Sequence, residues 1–189
     1  MSSNVHQLPP RKPTFFRELD VRHKQLYGVL CVRRFCIKYG ISHEYIDALL
    51  QHLVKLLIAD DLAKWEQEGA GLALPGRGDP LPSELEDQID KQLRKDFYAL
   101  IDSCVEIGIT DMYGANTEDP NKHVAECIEI LRRHNIEPPE REIYFNALKS
   151  GILRSGEPVS RDGIQWGQWW GKPVSPQIFD QLKALVWDN

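Results

Sequence analysis

Between Ser83 and Gly108 the sequence SELEDQIDKQLRKDFYALIDSCVEIG sets apolar residues at helical spacing on two faces. Leu85, Ile89, Leu93, Leu100, Cys104 and Ile107 form one stripe, and Tyr98, Ile101 and Val105 form a second. A helix that is apolar on two sides must be covered on two sides, so it belongs at the centre of a helical fold. Ser83 and Glu86 read as a capping box that opens this helix, and Gly108 as its stop.

The rest of the chain follows the same period. One helix is predicted from about Phe16 to Tyr39, ending at Gly40. A second is predicted after a Ser42 cap, with Ile46, Leu49, Leu50, Leu53, Val54 and Leu57 on its apolar face. A short helix should span Asp61 to Glu68, with Leu62 and Trp65 facing inward. After the central helix, Thr117 should cap a helix that runs to His134 and stops at Asn135, with Ile136 folding back on Leu131. Pro138 and Pro139 open a helix ending at Gly151, and Ser175 and Pro176 open the last one, which carries Ile178, Phe179, Leu182, Leu185 and Val186. Period-two alternation is missing, so no strand is expected. The expected fold is all-α: a single-domain bundle of six or seven helices, with an irregular Trp-rich C-terminal segment before a final helix. Residues 1–14 should be a flexible arm and residues 15–189 the helical domain. The loop GAGLALPGRGDPLP, residues 69–82, is the one place for a subdivision. It lacks the G-K-[ST] ending of a phosphate loop.

Of the 189 residues, 42% are hydrophobic and 27% charged, an ordinary globular balance. The longest apolar stretch, residues 46–59, contains Asp47, Gln51, His52 and Lys55 and is too short and too polar for a membrane span. The first residues carry no apolar secretory region. The cysteines at 31, 36, 104 and 127 form no C-x-x-C pair and read as buried, reduced thiols. A cytoplasmic protein with no membrane partner is expected.

Charge is unevenly placed. Residues 1–40 hold eight Lys and Arg against two acids, and residues 41–140 hold nine against twenty-one acids. The basic segment should pack on the acidic middle of its own chain. The competing reading is a nucleic-acid binder using Arg17, Lys24, Arg34 and Lys38 on one side of the first helix. No basic-aromatic motif accompanies them, so nucleic acid ranks as an unlikely partner.

Candidate chemistry is sparse. His123 and Cys127 share a helical face at zinc-chelating spacing, without a second pair to complete a site. Asp102, Glu106, Glu126 and Glu129 resemble a carboxylate bundle only in part, because the paired Glu-x-x-His is missing. Cys104 has apolar neighbours, which raise a thiol pKa and make it inert. No catalytic residue, cofactor or metal is therefore expected. Should the chain be an enzyme, His123, His134 and Asp102 are the candidate site, between the helices around 84–107 and 118–134. Two charges fall on core faces, Arg33 and Asp96, and a buried charge needs a partner, so they are expected to pair.

Trp166, Trp169 and Trp170 lie within GIQWGQWWGKP. Tryptophan dominates cores and interfaces alike, so these three either seal the core or anchor a partner. The functional expectation is a non-catalytic protein–protein interaction protein, of the kind in which an acidic inhibitor neutralises a basic target. The alternatives are the small helical enzyme or metal protein and the nucleic-acid binder. Oligomeric state is not legible.

Overall fold

The computed structural model describes residues 19–112, 117–140 and 171–187. Among these residues there are seven α-helices and no strand, packed as a bundle. They are α1 (Val21–Tyr39), α2 (Glu44–Val54), α3 (Leu62–Ala70), α4 (Ser83–Glu86), α5 (Lys91–Ile109), α6 (Asp119–Arg133) and α7 (Pro176–Trp187), with a 3-10 turn at Lys55–Ile58. The expected arm 1–14, the helix through residues 141–151 and Trp166, Trp169 and Trp170 lie outside the described residues.

The centre is α1, α5 and α6, which pack most extensively on one another. The close approach of α1 and α5 depends on missing side chains. A Cβ on Gly28 would sit 2.6 Å from Ile107 Cδ1. One on Gly108 would collide with the Gln25 side-chain oxygen and lie 2.9 Å from the Trp65 ring. Gly108 therefore stays inside α5 as a packing residue, and the helix runs past it to Ile109 instead of stopping there. Leu26, Val29, Phe35, Phe97, Leu100, Val124 and Leu131 are fully buried around these contacts. Buried residues on both sides of loop 69–82 belong to one cluster.

Local capping moves several boundaries. The first helix begins at Val21 and not at Phe16, because the Asp20 carboxylate caps it by accepting the His23 amide at 2.9 Å. The α2 cap is His43, whose Nδ1 accepts the Tyr45 amide, in place of Ser42. The Ser83 capping box does not form. Ser83 is already helical, and the helix breaks after one turn. Asp90 then caps α5 by accepting the Gln92 amide at 2.9 Å. The break lets Leu85 and Ile89 both reach the core. Arg94 stitches it by donating to the Ile89 carbonyl and the Glu86 carboxylate. The α6 stop is as expected: Asn135 takes φ 53°, and the Ile136 amide returns to the Leu131 carbonyl at 2.9 Å.

The last described segment packs against α1 and the 3-10 turn. The Val174 amide donates to the Leu57 carbonyl, and Leu182 and Val186 of α7 are fully buried. No helix among the described residues is long and apolar enough to cross a membrane.

Candidate functional site

The three arginines of α1 donate to backbone carbonyls. Arg22, 4% exposed, donates to the Leu56, Ala59 and Gly171 carbonyls and ties α1 to the 3-10 turn and to the segment before α7. Arg34 donates to the carbonyls of Glu137 and Pro138, at 2.7 Å and 3.1 Å. Arg33 reaches the Val186 carbonyl at 3.3 Å. It does not meet Asp96, the partner expected for it from the sequence. Asp96 instead accepts from Arg133 at 2.9 Å and pairs with His134 at 2.8 Å. The correction has a simple cause: the end of α7 supplies a free carbonyl for Arg33, and the end of α6 supplies two basic groups for Asp96. Partial burial works against the Asp96 charge, but hydrogen bonds from His134 and Arg133 outweigh it and hold the carboxyl below its ordinary value.

Lys24 is 9% exposed, and burial lowers its pKa despite the nearby charges of Asp20, Glu118 and Asp111. A buried Lys24 and an engaged Arg34 leave only Lys38, of the described members of the nucleic-acid set, projecting freely from α1. In the described part of the basic segment, α1 does pack on α5 and α6, and the charges of Asp111 and Glu118 lie close enough to Lys24, and that of Asp60 to Arg22, to favour the charged forms of both.

An acidic edge forms where the glycine-rich loop lies on α5. Gly76, at φ 70°, lets the loop backbone touch down: a Cβ there would sit 2.8 Å from Val105 Cγ2. Leu74 is buried beneath the loop, and Arg77 pairs with Glu66 of α3. The Gly78 amide then donates to Asp102 Oδ1 at 3.1 Å. Burial first, and then the Asp79 carboxylate, push the Asp102 carboxyl up, against amide hydrogen bonds from Gly78 and Arg77 that favour its charged form. Asp102 and Asp79 also raise the Tyr98 phenol, after burial. Glu106 lies one turn beyond Asp102 on α5.

His123, His134 and Asp102 are not brought together. His123 and His134 sit near opposite ends of α6, about 16 Å apart along its axis at 1.5 Å per residue. His134 is taken up by Tyr39, at 2.7 Å, and Asp96, while Asp102 faces the loop. Cys127 is fully buried, as are Cys31 and Cys104, and burial pushes all three thiols up. Among the described residues no group of three or more His, Cys, Asp or Glu is placed to hold a metal ion.

A groove of about 460 Å³ runs between the 3-10 turn, α3 and α7. Val54, Ile58, Trp65, Phe179 and Trp187 line it, with Lys55, Asp60, Asp61, Lys64, Glu68 and Lys183 at its edges. Trp65 forms the floor, its Nε1 donating to the His52 carbonyl at 3.0 Å and its ring stacked on His52. Sequence reasoning missed both the groove and Asp79. Periodicity places residues on helix faces, but it does not say which helix ends meet or where a glycine-rich loop lands. No family model matches the chain, and no curated protein or solved structure is significantly similar to it.

Proposed function

We propose that the chain is a non-catalytic interaction protein whose acidic edge receives a basic segment of a partner protein. The observation that carries this reading is the half-buried Asp102 where the loop lands on α5, its Oδ1 accepting the Gly78 amide at 3.1 Å, with the exposed Asp79 carboxylate following in the loop. A partly buried carboxylate beside a second negative charge gains when a cation arrives. The excess of acids in residues 41–140, twenty-one against nine Lys and Arg, steers such a partner toward the molecule. Cytoplasmic residence belongs to the same proposal, because all four cysteines are unpaired and buried.

The test uses a short lysine-rich peptide as probe, followed by amide NMR. The Gly78 amide, which donates to Asp102, should shift most and saturate at low salt. The shift should vanish in 1 M salt, where the screening length falls to about 3 Å. Asp102→Asn should weaken binding several-fold. Shifts spread evenly over the acidic residues, with Gly78 unmoved, would sink the reading.

A further inference from the structure

The groove between the 3-10 turn, α3 and α7 differs from the acidic edge in one respect: its charges cancel. Lys55, Lys64 and Lys183 face Asp60, Asp61 and Glu68 around an apolar floor. All six are exposed. Among the described residues, none of the six belongs to an ion pair. Asp61 alone has a structural task, capping α3 through the Lys64 amide at 2.9 Å. Lys64 and Glu68 are one turn apart, but with Lys on the N-terminal side, the weaker order for such a pair. Ile58, 36% exposed, is one of two large hydrophobic residues that stand open to solvent among the described residues, and it lies in this groove.

We propose that this groove is a two-fold interface and that its occupant is a second copy of the chain. A surface that meets itself across a two-fold axis must be self-complementary. A patch with three lysines and three acids, none in an ion pair among the described residues, is balanced in sign and meets a copy of itself without net like-charge repulsion. A strongly basic or strongly acidic partner would be repelled by half of the rim. An apolar centre within a charged rim is also the anatomy of a protein interface. The inference goes beyond the acidic-edge reading and uses none of its residues, so the two stand or fall separately.

Sedimentation and light scattering of the full chain, from micromolar to several hundred micromolar, give the first readout. The mass should rise from 21.7 kDa toward twice that value. Two rim variants give the second. One carries Lys55→Glu, Lys64→Glu and Lys183→Glu, and the other carries Asp60→Lys and Glu68→Lys, leaving Asp61 to cap α3. Each alone should lose self-association at least tenfold, and an equimolar mixture should associate as well as the native chain. Ile58→Asp, a single exposed change, should produce the same loss if the multiple changes disturb folding. A native chain that stays at 21.7 kDa throughout, as it would if the groove took a segment of a different protein, overturns the proposal. Self-association that survives in both rim variants and in Ile58→Asp overturns it equally.

Discussion

The two sides of the bundle treat charge in opposite ways. On the α1–α5–α6 side, Arg22 and Gln25 are buried and engaged, Arg22 holding three carbonyls and Gln25 donating to the Cys104 carbonyl, and the half-buried Asp96 holds Arg133 and His134. On the α2–α3–α7 side, the groove carries six exposed charges with no ion pair among them. A buried charge that loses its partner is costly, whereas an exposed charge is solvated in either state. The engaged charges of the first side therefore support the fold, and the exposed charges of the groove are free to change with little loss of stability.

Five substitutions would break or sharpen that contrast. The largest effect belongs to Phe97→Ala, in the fully buried centre, which should lower the unfolding free energy by about 3–5 kcal/mol in a urea titration. Phe179→Ala, in the groove, should cost far less. Arg22→Met comes next, at about 3 kcal/mol, because it leaves three carbonyls short of a donor. A loss as small as that of a surface lysine would erase the contrast. Gly108→Ala should cost about 1–3 kcal/mol, since Gln25 is held by the Cys104 carbonyl and cannot move aside freely. The smallest effect is that of Asp96→Asn, and it depends on pH. The folded-state pKa of Asp96 is depressed, so its stabilisation is present above the unfolded value of 3.8 and disappears as pH falls through the folded one. Native and variant melting temperatures should differ at neutral pH and converge in acid.

Lys24 has the opposite linkage. Burial lowers its pKa, so the unfolded chain holds this proton more tightly, and stability rises with pH between the lowered value and 10.5. Lys24→Met should remove that slope in melting curves taken from neutral pH upward.

The legible part of the fold is what periodicity and stop signals encode. The apolar stripes gave the helices, and Asn135 with Ile136 marked the end of α6 because a left-handed residue followed by an apolar one has few other uses. The break at Asp90 was hidden because Leu85 and Ile89 continue the stripe of α5, and their spacing is the same whether or not the helix is interrupted. The Arg33–Asp96 pair failed for a related reason. Sequence shows that a charge on a core face needs a partner, but carbonyls at helix ends are partners that no side chain advertises. Asp102 could be picked out as a carboxylate on the central helix, whereas its crowding by Asp79 depends on where the loop comes down. Trp166, Trp169 and Trp170 lie outside the described residues, and the edge and groove proposals use neither their exposure nor their burial.

The contrast between the two sides is tested most directly by comparing two double variants in urea unfolding at neutral pH. Arg22→Met with Arg34→Met removes two engaged cations of α1, and Lys64→Gln with Lys183→Gln removes two unpaired cations of the groove. The account predicts a loss of several kcal/mol for the first and less than about 0.5 kcal/mol for the second. Equal losses, or a larger loss for the groove pair, would contradict it.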